Sequence, residues 1–446
     1  MKKLMQTILF SLLLLQANLV FADTLQPGRL KLNAAIGQPV MLANKKQVAY
    51  LRIGLTGFKL PTRHDRAPVN IAIVIDKSGS MGGDKIAKAK DAAIMAIDRL
   101  NCNDIISVVT YDSRVTVLVP ATKVADKEMI FRRIRDISAG GSTALYDGVS
   151  KGAKELRKFV SDIRVNRLVL LSDGLANVGP QTPTELGRLG ACLINDGISV
   201  TTIGLGLGYN EDLMTQLAYK SDGSHYFAES ATELSGVFDS EFGRALSVVA
   251  QEIQMKIKCA RGIRPIRLLG RQGRIEGQNV AVFINQLYSK HEKFVLLEVE
   301  VPGTAGGHNR RIAEVNVSYS NLKTHTTDRI SGQVDVNFSN SKELIERRTN
   351  HDVMVDVIEL IATERNELAL KLRDKGKMKQ ACELLFDNEA YLKDNAFRYD
   401  SQKLKKYAEQ QREDRDNMGE ANWTRQRKIM RENQFYNKSQ QSTKSK

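Results

Sequence analysis

The sequence predicts an α/β fold: a doubly wound, mainly parallel sheet inserted in a β-sandwich and followed by a small α-helical region. Three observations lead there. Between residues 70 and 251, short apolar runs alternate with stretches of helical periodicity, as in parallel strands covered by helices. On either side of this stretch, segments alternate apolar and polar residues between Gly, Asn and Pro, as sandwich strands do. From residue 341 onward apolar residues recur at helical spacing.

Taken in order, residues 1–22 read as a secretory signal peptide. Lys2 and Lys3 precede an apolar run over residues 8–15, and Val20 and Ala22 are the small residues of a cleavage site before Asp23. The rival reading is a membrane anchor, but the apolar part is short for a span. The expectation is a periplasmic or secreted chain with no transmembrane segment after cleavage. Residues 23–67 hold three short strands, 29–33, 39–42 and 48–57, too few to fold alone.

Residues 68–253 carry the alternating pattern. Strands are expected at 70–76, 104–111, 114–119, 167–171, 199–205 and 223–227, the second and third joined in a hairpin at Asp112 and Ser113. Helices are expected at 84–100, 126–137, 145–159, 184–195 and 210–218, with a long final helix over 232–253. Residues 254–340 return to strands, at 254–258, 266–269, 280–284, 293–299, 311–319 and 332–338. The economical arrangement has both flanks building one sandwich, with the α/β domain inserted in one of its loops. Residues 341–415 are expected to form two or three helices, and residues 416–446 a disordered basic tail. Seven basic residues and one acid lie between Ala421 and Lys446, so that tail is a candidate for contact with an anionic envelope surface.

Five oxygen-bearing residues fall on three separated loops. Asp76, Ser78 and Ser80 follow the apolar strand 70–76, Thr143 lies in Gly140-Gly141-Ser142-Thr143, and Asp173 follows the apolar strand 167–171. Two carboxylates and three hydroxyls, with no His or Cys, form a hard oxygen site suited to Mg²⁺, Mn²⁺ or Ca²⁺ rather than zinc. Two charges are too few to enclose the ion, which leaves a coordination position for a ligand. In an open α/β sheet the carboxyl ends of the strands are where ligands bind.

Asp-x-Ser-x-Ser, a distant Thr in Gly-Gly-Ser-Thr and a distant Asp after a strand resemble the metal-ion-dependent adhesion site of the von Willebrand factor type A family. All five positions match. The resemblance implies a mainly parallel sheet with one antiparallel edge strand. It also implies a partner protein that presents Asp or Glu to the metal. In relatives, ligand arrival moves the loops and the final helix; a rigid joint is the alternative here. The function expected is a metal-ion-dependent adhesion or scaffold module, not an enzyme. The rivals are an envelope assembly factor with a structural metal site, and a metal-dependent hydrolase that would need a general base beside the ion.

Other features carry less chemistry. Four cysteines, Cys102, Cys192, Cys259 and Cys382, are too few for a disulfide scaffold and lack zinc spacing. Gly204-Leu205-Gly206-Leu207-Gly208 lacks the spacing of a dinucleotide loop and reads as a turn. His225 reads as a structural histidine on a short strand. Lys77, inside the first loop, either favours acidic ligands or points to solvent. The net charge of +15 invites a nucleic-acid reading, but export and the lack of any nucleic-acid motif argue against it.

Overall fold

The computed structural model describes residues 28–60 and 66–441, so the expected signal peptide lies outside the described residues. The chain begins with β1 (Lys31–Ile36), β2 (Val40–Leu42) and β3 (Gln47–Thr56). It then enters the α/β unit with β4 (Val69–Asp76), α1 (Asp84–Asp98), β5 (Ile105–Tyr111), β6 (Val115–Lys123), α2 (Lys127–Arg135) and α3 (Leu145–Arg157). The unit continues with β7 (Val165–Ser172), α4 (Pro183–Asn195), β8 (Ile198–Leu205), α5 (Glu211–Lys220), β9 (His225–Ala228) and α6 (Leu234–Ala245).

These strands form one sheet in the order β6-β5-β4-β7-β8-β9, with only β6 antiparallel. Every residue of β4, β5, β7 and β8 is buried, which is why they read as mainly apolar runs without alternation. Successive side chains serve opposite cores: Ile71, Ile73 and Ile75 face one helical layer, Ala72 and Val74 the other. Capping fixes where the helices start. Asp126 accepts from Met129 N before α2, Asn210 accepts from Leu213 N before α5, and Thr182 with Glu185 forms a capping box around Pro183 before α4. The chain leaves β4 toward β5 on one side and later returns to β7 on the other. The carboxyl ends of β4 and β7 therefore flank a topological switch point.

The rest of the chain supplies β10 (Val248–Cys259), β11 (Arg264–Leu269), β12 (Arg274–Glu276), β13 (Asn279–Tyr288), β14 (Glu292–Val301), β15 (Asn309–Asn321) and β16 (Thr326–Ser339). Two sheets result, β1-β3-β14-β11 and β12-β13-β10-β15-β16-β2, with an apolar core of both flanks between them. The helices α7 (Lys342–Arg348), α8 (His351–Asp374), α9 (Met378–Arg398), α10 (Gln402–Asp416) and α11 (Glu420–Ser439) follow. Val353, Val357 and Leu360 of α8 seat it on Leu269, Phe294 and Leu296 of the sandwich.

Three expectations need correction. The single helix over 232–253 does not form: α6 stops at Ala245, and Val248 opens β10, the central strand of the larger sheet. Val248, Val249 and Ile253 suit a helical face as well as a strand. From Gln251 onward, however, exposure alternates residue by residue, with a bulge between Gln251 and Gln254. The domain boundary expected at 253 thus falls inside a strand. The two or three helices expected over 341–415 are four, α7 to α10, the last three divided at the left-handed residues Gly376 at φ 76° and Asp400 at φ 47°. The largest departure is the tail expected to be disordered. Residues 420–439 form α11, whose buried side chains include Gln426, Lys428 and Gln434. It buries Met430, Phe435 and Tyr436 as well, but polar residues fill so much of its packed surface that hydrophobic periodicity does not reveal it.

Candidate metal centre

The first loop leaves β4 at Asp76 and turns through a short 3-10 segment, Gly79–Met81, into α1. Asp76 is fully buried. Its Oδ1 accepts from Ser78 N at 2.8 Å, so the loop folds back over the carboxylate, and its Oδ2 accepts from Ser172 Oγ at 2.8 Å. Backbone bonds lock the three loops together. Lys77 N donates to Tyr111 O at 2.8 Å, Gly140 N to Lys77 O at 2.7 Å, and Gly79 N to Gly141 O at 3.0 Å. Gly141 holds φ at 84°, which a glycine adopts without strain. Thr143 N donates to Asn177 Oδ1 at 2.7 Å, and Thr143 O accepts from Asn177 N at 3.2 Å, which ties the second loop to the third.

All five residues are brought to one place. Ser80 Oγ donates to Asp173 Oδ1 at 2.7 Å and lies 3.1 Å from Ser78 Oγ. Gly174 closes the floor: a Cβ there would sit 3.3 Å from Ser80 Oγ and 3.5 Å from Thr143 Oγ1. Ser78, Thr143 and Asp173 are buried like Asp76. Among the described residues no three His, Cys, Asp or Glu side chains cluster as metal ligands, so an ion here would depend on hydroxyls as well as the two carboxylates. Burial raises the pKa of Asp76, hydrogen bonds from Ser78 and Ser172 oppose the rise, and the Asp173 charge adds to it. Tyr111, packed beneath, is raised well above its usual value by burial and by the Asp76 charge. Two buried carboxylates in an oxygen-lined cradle, with Ser80 exposed at its rim, fit a hard divalent cation.

The sequence left several contributors unseen. Ser172 and Asn177 hold Asp76 and Thr143 in place, and Lys85 in the first turn of α1 pairs with Asp173 Oδ2 at 2.5 Å. The run Ser172-Asp173 and the nearness of Lys85 to the first loop were the available signals; nothing local marks Asn177. Lys77 pairs with Asp112 of the β5–β6 turn, so it is held across the loop rather than released to solvent. His225 is buried on β9 with Nδ1 2.8 Å from Thr202 Oγ1, far in the topology from the three loops. Gly206 holds φ at 68°, and Gly208 packs so closely on the third loop that a Cβ would lie 2.7 Å from Asp173 O. The four cysteines are free thiols: Cys102 and Cys192 are exposed, Cys259 is buried and Cys382 is half-buried.

Comparison with known proteins bears on the domain and its fold. The family model of the von Willebrand factor type A domain matches residues 70–240. The uncharacterized protein sll0103 of Synechocystis is 27% identical over 283 residues, which is 60% of this chain and 66% of that protein. The chain spans about a third or less of two further curated relatives. A von Willebrand factor type A structure from Catenulispora acidiphila superposes with a TM-score of 0.66 at 16% identity, covering 83% of this chain and 89% of the other. The ArnB paralog VWA2 from Sulfolobus acidocaldarius does so with a TM-score of 0.63 at 16% identity, covering 92% and 98%. At such identity the structures speak to fold, and they share it along nearly the whole chain. With the sheet order, the antiparallel edge and the matched span in agreement, residues 70–240 are a von Willebrand factor type A domain.

Proposed function

We propose that this chain is an exported, metal-ion-dependent protein-binding module of the periplasm or cell exterior. Asp76, Ser78, Ser80, Thr143 and Asp173 would hold Mg²⁺, or Mn²⁺ or Ca²⁺, and an Asp or Glu of a partner protein would complete the shell. When bound, the ion supplies a positive centre that a ligand carboxylate can join. The observation that carries this reading is the convergence of two buried carboxylates and three hydroxyls from three interlocked loops. The chain's own residues set the geometry: Ser172 and Ser78 orient Asp76, Ser80 orients Asp173, and Asn177 positions the Thr143 backbone.

One carboxylate contact is too little for tight binding, so the rim must contribute. Leu175 and Leu207, 60% and 46% exposed, stand on the loops after β7 and β8 and offer apolar contact beside the site. In this reading the chain is not an enzyme. Both carboxylates are committed as acceptors, to Ser78, Ser172, Ser80 and Lys85, which leaves neither placed as a general base. Among the described residues no helix is long and apolar enough to cross a membrane. A second reading, an envelope assembly factor, draws on Phe386 and Phe397. They are 61% and 93% exposed and lie three helical turns apart on one face of α9.

Calorimetric titration of the chain from Asp23 with Mg²⁺ and Mn²⁺ tests the first reading. Asp76→Ala is expected to lower ion affinity by more than the roughly 10–100-fold typical of changes outside the coordination shell, with the thermal melt retained. Absence of binding in the wild type, or equal affinity in the variant, would sink it. Capture of envelope proteins with and without chelator then separates the two readings: the adhesion reading expects chelator-sensitive partners.

A further inference from the structure

Lys85 is the second residue of α1, and its ammonium reaches back over the candidate metal centre. Its Nζ lies 2.5 Å from Asp173 Oδ2 and 3.3 Å from the Ser80 carbonyl. Asp173 is enclosed, with 0% of its side chain exposed, while Lys85 keeps 39%. The ammonium therefore stands between one of the two site carboxylates and solvent. The other Asp173 oxygen accepts from Ser80 Oγ.

This placement has an electrostatic consequence. The five oxygen donors carry two negative charges, and Lys85 offsets one of them at contact distance. A divalent cation that takes Asp173 as a ligand has to share that carboxylate with a fixed positive charge a few ångströms away. Like charges at such range weaken ion binding substantially when water is excluded from one side. A ligand carboxylate reverses the balance. It brings a negative charge to the same exposed side and has two oxygens, one for the ion and one for an ammonium donor. We propose that Lys85 makes ion binding and ligand binding mutually dependent. It holds the ion weakly when no acid is present, and it adds a second contact to the acidic ligand once the ion is there. This inference rests on the metal-binding reading and assigns Lys85 a specificity role within it. By linkage, whatever factor a carboxylate adds to ion affinity, the ion adds to carboxylate affinity.

The test is calorimetric titration of Mn²⁺ into the chain from Asp23, in chloride and in acetate at equal ionic strength. Wild type, Lys85→Met and Lys85→Arg are compared. Met keeps the hydrocarbon stem and the helix propensity of the first turn, so the fold should persist, as a thermal melt will record. Lys85→Met is expected to bind Mn²⁺ about tenfold or more tightly than wild type in chloride. Acetate, which joins the ion in every variant, is expected to strengthen Mn²⁺ binding markedly more in wild type and Lys85→Arg than in Lys85→Met. Equal or weaker Mn²⁺ binding by Lys85→Met overturns the inference while leaving the metal site standing. Tighter binding with an unchanged acetate effect overturns the coupling. If none of the three proteins binds Mn²⁺ while all melt alike, the metal-binding reading itself fails. Binding by Lys85→Met alone supports both.

Discussion

Gly174 shows how little space separates a site from a filled one. A methyl group there would stand 3.3 Å from Ser80 Oγ, closer than most real Cβ contacts, and 3.5 Å from Thr143 Oγ1. Gly174→Ala should therefore cost little stability, because its surroundings are loops, yet push the two hydroxyls apart. A several-fold loss of Mn²⁺ affinity with a thermal midpoint near wild type is expected, measured by calorimetry and by melt. Unchanged affinity would mean that the hydroxyls move freely. The five residues that the structure brings together were legible in the sequence because each is a short oxygen side chain after a buried strand or in a glycine loop. Their supports were not. Asn177 acts through a bond to a backbone 34 residues away, and Lys85 reaches Asp173 across 88. Nothing in local spacing encodes such pairs.

At the scale of elements, α11 shows what patterning misses. Its docking joins charge and amide pairs to the burial of Met430, Phe435 and Tyr436. Lys428 Nζ donates to Glu211 Oε2 at 2.6 Å and to Tyr209 O at 2.8 Å, while Arg427 pairs with Glu211, Asp212 and Asp374. Beyond the helix, the Gln441 amide pairs with both the N–H and the carbonyl of His225, and Glu432 accepts from Phe227 N. Side chains from the C-terminal segment thus occupy the open edge of β9, which would otherwise invite another strand. The core strands announced themselves by apolarity; α11 is held in large part by polar groups whose partners lie elsewhere in the chain, from Asp374 back to Tyr209, so its sequence looks like a solvated tail. Lys428→Met should leave Glu211 buried without its nearest ammonium, and faster hydrogen exchange over residues 420–439 is the expected readout.

The docking of the same helix carries a pH dependence. Asp414 of α10 is buried and accepts from Asn366 and from Gln426 of α11 at 2.8 and 2.7 Å. Burial pushes its pKa up to about 7; those hydrogen bonds oppose the rise, and the Glu413 charge adds to it. No cation is paired with it among the ion pairs of the described residues. The folded-state value lies above the unfolded one. The stability this carboxyl contributes is therefore full below about pH 4 and lost as pH rises through about 7. Asp414→Asn should flatten that slope and, at pH 8, stabilise the chain by roughly 2 kcal/mol relative to wild type in urea unfolding. An unchanged slope would refute the assignment.

Across the whole molecule, the question is whether the domain with the candidate metal centre moves against the sandwich. The seam lies toward the amino ends of β7 and β8, away from the three loops. Arg167 there has 0% of its side chain exposed. It pairs with Glu241 of α6 at 3.0 Å and donates to Tyr288 of β13 at 3.1 Å and to Gln286. Asp222 is bound by Arg271 at 2.8 Å and Lys293 at 3.1 Å, and it accepts from Asn285 N at 2.8 Å. Burial would raise the Asp222 pKa, but Lys293 and Arg271 hold it down to about 2. Its contribution is therefore present above about pH 4 and lost as pH falls through about 2. Buried charges paired with one another across a joint resist sliding, because any displacement strands them without water. Wild type should accordingly unfold its sheet and its sandwich in one transition near neutral pH. Arg167→Met leaves Glu241 unpaired in the interior and should cost roughly 3–5 kcal/mol. It should also separate the two transitions when they are followed by hydrogen exchange at β7 and at β13. With the seam intact, addition of Mn²⁺ and acetate should leave protection of residues 234–245 unchanged. Loss of protection there on ligand binding would show that the joint transmits the site's occupancy after all, and that the seam is a hinge rather than a weld.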